Sequence, residues 1–123
     1  MLGPVSVLGI GGLFFRSQDP QARAAWYARH LGIDAGAEGE DAVWHQSAGM
    51  TVFAPFSQDS DYFSADQQFM LNLRVSDLDE LIARLEAEGV AVERRPEWDT
   101  DYGRFVRIQD PEGLPIELWE IGS

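Results

Sequence analysis

The feature that most constrains this chain is an internal repeat. Leu13-Phe14-Phe15-Arg16-Ser17-Gln18-Asp19-Pro20 runs into a helical pattern that stops at Leu31-Gly32-Ile33, and Leu71-Asn72-Leu73-Arg74-Val75-Ser76-Asp77-Leu78 leads likewise to Glu88-Gly89-Val90. Arg74 follows Arg16, and Asp77 follows Asp19, by 58 residues, whereas Gly89 follows Gly32 by 57, so the second helix is one residue shorter. A duplicated strand–helix unit builds a cleft between its copies. The register of the repeat then dictates which residues can meet there.

Local patterns fill in each copy. Residues 7–17 read as a largely buried strand, bare at Gly9, Gly11 and Gly12. Asp19-Pro20 supplies an N-cap followed by proline at the first helical position, and Gly32 ends the helix. Residues 34–41 form an acidic loop or ragged edge strand, and residues 42–46 and 50–55 a hairpin turning at Ser47-Ala48-Gly49. After a polar connector containing Tyr62 and Phe63, residues 69–75 restart as a strand. Ser76 caps a helix whose Leu78, Leu81, Ile82 and Leu85 make a core-facing stripe. Residues 90–93, 103–109 and 114–121 complete the set, the last two joined by the turn Asp110-Pro111-Glu112-Gly113.

The expected fold is therefore α+β: two tandem modules, 1–56 and 68–123, joined by a 57–67 connector in a single domain spanning 1–123. A chain of 123 residues can bury about two thirds of its unfolded surface. The absence of cysteine excludes thiolate metal sites, Fe–S clusters and cysteine nucleophiles, and the nine basic residues are all arginine, which excludes a Schiff-base lysine. A net charge of −12 repels phosphate backbones, so nucleic acid is not an expected partner. No apolar run is long enough for a membrane helix and no secretory signal is recognisable at the N-terminus, so the expected location is cytoplasmic.

Two segments carry a family resemblance. The helix end Trp26-Tyr27 to Leu31-Gly32-Ile33 is similar to that of the glyoxalase, bleomycin-resistance and extradiol-dioxygenase superfamily, the vicinal oxygen chelate proteins. Asp110-Pro111-Glu112-Gly113-Leu114-Pro115-Ile116-Glu117-Leu118 resembles that superfamily's terminal hairpin. The resemblance implies paired βαβββ modules that curl a mixed sheet into a cup with helices outside, and a homodimer. In metal-dependent relatives it also implies ligands at positions that here are Gly12, Met70, Phe53 (or Thr51) and Glu117. Of these only Glu117 is a ligand, and one carboxylate does not hold a divalent ion. No cofactor is expected and a metal is disfavoured; the weak candidates for one are His45 and Glu117.

Strand alternation then sorts the cup lining. Phe14 and Arg16 from the first module face Met70, Asn72 and Arg74 from the second, with Phe105, Arg107, Glu117 and Trp119 from the last two strands and Phe53 from the first hairpin. Such a lining fits a planar, partly apolar organic molecule oriented by guanidinium forks and one carboxylate. The same arginines have a plain structural reading, as ion pairs with Asp19, Asp77 or Glu117. The loop carrying Trp98, Asp99, Asp101 and Tyr102 would be a lid or a set of anchors, and Tyr62 and Phe63 would cover the mouth or touch a second subunit. Two functions follow. One is a metal-independent protein that sequesters a drug-like or metabolite ligand; the other is a lyase, isomerase or dioxygenase-like enzyme with Glu117 as base or as a residual metal ligand. The acidic net charge favours cationic ligands and the arginines an anionic group, which leaves the sign of the ligand's charge open.

Overall fold

The computed structural model describes residues 6–33 and 43–122. The expected acidic loop at 34–41, and residue 42 of the expected hairpin, lie outside them. Helix α1 spans Pro20–Leu31 and helix α2 Leu78–Ala87; strands β1 (Leu71–Arg74), β2 (Gly103–Gln109) and β3 (Pro115–Ile121) form one mixed sheet. Its order is β1-β3-β2, with β1 parallel and β2 antiparallel to β3. Among the described residues no helix is long and apolar enough to cross a membrane.

Each helix forms where its ends are satisfied. Asp19 accepts from the Ala22 amide at 3.2 Å to start α1, Pro20 occupies the first turn, and Gly32 closes it at φ 70°. At α2 the cap is Asp77 rather than Ser76: its carboxylate accepts from the Glu80 amide at 3.2 Å. Gly89 at φ 83° then lets the Val90 amide reach back to the Leu85 carbonyl at 2.9 Å. Leu78, Ile82 and Leu85 are buried, and they meet Val106 and Ile108 of β2, Ile116 and Leu118 of β3, and Tyr27 of α1 in one core.

Of the expected α+β fold the described residues show two helices and an open three-stranded mixed sheet. Neither residues 7–17 nor residues 43–55 form a strand; Leu8 is 98% exposed, Phe14 94% and Phe53 84%. A strand needs a ladder partner as well as suitable side chains, and among the described residues none is offered to these segments. Residues 90–93 likewise contribute only a single bridge, Glu93 to Arg107.

What the first module does contribute is a latch. Arg23 of α1, 8% exposed, donates through Nε to Asp110 Oδ2 at 2.8 Å and places Nη2 at 2.7 Å from the same oxygen. The Tyr27 hydroxyl donates to it as well, at 2.8 Å. The other Asp110 oxygen accepts from the amides of Glu112 (2.9 Å) and Leu114 (3.1 Å), which folds the turn. Glu112 in turn accepts from the Ser17 hydroxyl at 2.6 Å and the Gln18 amide at 2.9 Å. The terminal turn thus grips the start of α1, and Arg23 stacks over Phe15 at 4.7 Å.

Candidate functional site

The sheet has one face under the helices and one facing away. Leu73, Leu118 and Val106 lie in register on the helix face; alternation sends their neighbours to the other side. Two rows result there. Asn72, Glu117 and Arg107 are paired across the three strands, and so are Arg74, Trp119 and Phe105.

Glu117 is the centre of the first row. It is buried at 5% exposure; Oε1 accepts from Asn72 Nδ2 at 2.8 Å and Oε2 from the Tyr62 hydroxyl at 2.5 Å. A carboxylate with each oxygen engaged by a donor is tolerated in such a place because both bonds are charge-assisted. Burial pushes the Tyr62 phenol above its ordinary pKa, and the hydrogen bond to Glu117 pushes it the same way. Arg107 Nη2 donates to the Tyr62 carbonyl at 2.7 Å, and its guanidinium lies between the rings of Tyr62 (4.6 Å) and Trp98 (4.5 Å). A cavity of about 660 Å³ opens on the connector side of Arg107, bordered by Tyr62, Glu93, Arg95 and Trp98 and not by Glu117.

The second row is aromatic. Phe105 and Trp119 stack with ring centres 5.6 Å apart and planes 9° from parallel. The Trp119 indole donates to the Tyr102 carbonyl at 2.9 Å, which fixes the ring. Arg74 does not reach for a carboxylate: its guanidinium donates to the carbonyls of Ser47 (2.7 Å) and Ala48 (3.3 Å). It holds the 47–49 turn against the end of β1, close enough that a Cβ on Gly49 would lie 2.0 Å from Arg74 Nη1.

The structure therefore gathers Asn72, Arg74, Phe105, Arg107, Glu117 and Trp119 on one face, with half-buried Met70 just before β1. It does not bury Phe14 or Phe53 against that face. Arg16 is exposed, and its backbone carbonyl serves the latch by accepting from Arg23 Nη1 at 3.0 Å. The two repeat-related arginines thus have different neighbours, and neither makes the ion pair expected with Asp19, Asp77 or Glu117 among the described contacts. His45 is exposed. Trp98 and Tyr62 enter the site as the two walls of Arg107, a role that loop position alone did not reveal.

The donor set of the superfamily's metal centre is not assembled by these residues. Gly12 and Phe53 carry no ligand atom, Met70 offers only a thioether, and both Glu117 oxygens already accept hydrogen bonds. Among the described residues no three histidine or carboxylate side chains converge.

Three solved chains match significantly, and no curated protein does. TnmS3, an antibiotic binding protein from Streptomyces sp. CB03234, superposes with a TM-score of 0.51 at 24% identity, over 85% of this chain and 88% of its own. A glyoxalase/bleomycin resistance protein from the same organism is 37% identical over 43% of this chain, with a TM-score of 0.38; the match spans 46% of its length. The model of the glyoxalase-like domain matches residues 12–119. By that match over most of its length, the chain belongs to the glyoxalase-like domain family of the vicinal oxygen chelate superfamily.

Proposed function

We propose that this protein binds a small organic molecule, without a metal, against the sheet face built by Asn72, Phe105, Arg107, Glu117 and Trp119. The observation that carries this reading is the buried Glu117 set in an aromatic surface. A single oriented carboxylate beside the stacked Phe105–Trp119 pair, in which Phe105 is half-buried and Trp119 buried, gives a ligand one polar anchor and an apolar neighbour, the usual make-up of a small-molecule site. TnmS3, the neighbour that shares the fold, is an antibiotic binding protein, and a sequestering role of that kind is consistent with this lining. Phe14, Arg16 and Phe53 would join the lining, and the cup would close, only when the first module's apolar segments find a partner. A second copy of the chain supplies one, and the exposed Leu8, Phe14 and Phe53 favour such a homodimer. Catalysis is the second reading, with Glu117 as the base once the Tyr62 hydroxyl leaves Oε2.

The test is metal analysis of the purified protein, its sedimentation, and thermal-shift titration with divalent ions and an aromatic ligand panel. A dimer without stoichiometric metal is expected, stabilised by an organic ligand by about 2.7 kcal/mol at a hundredfold excess over its Kd. A stoichiometric transition metal lost with Glu117→Ala would overturn the reading.

A further inference from the structure

Tyr62 is the residue of the connector that makes the closest contact with the proposed ligand face. Its hydroxyl donates to Glu117 at 2.5 Å, its carbonyl accepts from Arg107 at 2.7 Å, and its ring covers the Arg107 guanidinium at 4.6 Å. A phenol therefore already sits on the site, with its hydroxyl at the buried carboxylate and its face on the cation. Each group beneath it also has a neighbour other than Tyr62. Asn72 fixes the other Glu117 oxygen at 2.8 Å, and the Trp98 ring lies 4.5 Å from the Arg107 guanidinium. Were Tyr62 to swing away, Glu117 would keep an acceptor without a donor and Arg107 an uncovered face.

We infer that Tyr62 is an internal stand-in for the ligand, and that the site takes a hydroxylated aromatic ring which displaces it. This inference rests on the reading of the Glu117 face as the ligand site. The ligand hydroxyl donates to Glu117 Oε2 and its ring lies on Arg107, with the stacked Phe105 and Trp119 on the same sheet face available to a fused ring. The carboxylate sets the selectivity. An aryl ether brings no proton to it, and an aryl carboxylate brings a second negative charge.

The connector is suited to yielding its place. Around Tyr62, Asp59, Asp61 and Ser64 are exposed, and the ring's aromatic neighbour within the connector side is Phe56 at 5.7 Å. Beyond Tyr62, the hydrogen bond from the 57–67 segment to the sheet is a long one, from Gln67 Nε2 to the Pro115 carbonyl at 3.5 Å. The tethered phenol competes with any free one, so the apparent affinity of the wild-type protein is reduced by the fraction of molecules in which Tyr62 has left.

Calorimetric titration with 2-naphthol and 2-methoxynaphthalene tests this in the wild type, Tyr62→Phe and Tyr62→Ala, each checked for an unchanged circular-dichroism spectrum. Tyr62→Ala is expected to bind 2-naphthol about tenfold more tightly than the wild type, through removal of the competing ring. Tyr62→Phe, which keeps the ring but loses the hydroxyl, is expected to gain less. In all three proteins 2-naphthol should be preferred to its methyl ether by about tenfold or more, since only the naphthol satisfies Glu117. If Tyr62→Ala binds both probes equally, or 2-naphthol no more tightly than the wild type does, the stand-in role is overturned while the ligand face survives. If no variant binds either probe, the ligand face fails along with it.

Discussion

Asp110→Ala is expected to cost about 3–5 kcal/mol and to lower the melting temperature by roughly 10–20 °C. The size follows from what is left behind. The Asp110 side chain is 0% exposed and the Arg23 side chain 8%, so truncation takes from a nearly buried guanidinium the nearer of its two carboxylates and leaves it Glu112 at 3.2 Å and the Arg16 carbonyl. The Tyr27 hydroxyl and two turn amides lose their acceptor in the same step. Burial, and next the hydrogen bond to Asp110, hold the Tyr27 phenol well above its ordinary pKa, so it remains a donor throughout the working range. Asp110→Asn, which keeps an acceptor for the amides but not the charge for Arg23, should fall between wild type and alanine. Urea melts of the three proteins decide the matter, and a loss below about 1 kcal/mol for Asp110→Ala would place the latch among ordinary surface contacts.

The latch also has an acid side. The Ser17 hydroxyl, followed by the Gln18 amide, draws the Glu112 carboxyl down from 4.5 to about 2. A group whose folded pKa lies below its unfolded one contributes its stabilisation fully above the unfolded value and loses it as pH falls toward the folded one. The contribution of Glu112 should therefore be intact above pH 4.5 and fade between 4.5 and about 2, a slope that Glu112→Gln removes.

Gly103→Ala is expected to be nearly as damaging, at about 2–4 kcal/mol. Gly103 opens β2 at φ 138°, where a side chain is strained whatever the space. Space is lacking too: a Cβ would fall 2.0 Å from the Glu120 carbonyl oxygen and 2.8 Å from both the Gly122 nitrogen and the Trp119 indole nitrogen. Two of those obstacles are backbone, one in β3 and one just after its end, so the β2–β3 register must shift and the Trp119 ring must move with it. Thermal melts followed by tryptophan fluorescence should show lost stability together with a changed Trp119 environment. Gly113→Ala is the control, since φ is 85° there but the Cβ meets open space, and its cost should stay near 1 kcal/mol. Equal losses at the two glycines would mean that conformation, not the close approach of β3, governs Gly103.

Much of the second half was legible because its signals are local. The stripe of Leu78, Ile82 and Leu85 and the alternation along residues 103–109 and 115–121 follow from periodicity, and periodicity also sorted Asn72, Arg107 and Glu117 onto one face. The first module was less legible. Residues 7–17 have the composition of a strand, but composition does not name a pairing partner, and β preference depends on that context. The latch escaped notice for a related reason. Asp110-Pro111-Glu112-Gly113 is a sufficient turn on its own, and nothing local to it points to Arg23, 87 residues away. Tyr62 lay in a polar connector, where an aromatic residue signals only that something nearby will cover it.

The central claim is that the Glu117 face holds an organic ligand without a metal. The four tryptophans allow it to be tested by following their indole N–H resonances in chelator-treated protein as 2-naphthol is added. Trp98 and Trp119 border the face, whereas Trp26 lies on α1 against Tyr27 and His30. The expected result is a saturable shift of Trp98 and Trp119, with Trp26 unmoved and the titration unchanged by added zinc. A shift confined to Trp26, or binding that appears only once a divalent ion is supplied, would contradict the account.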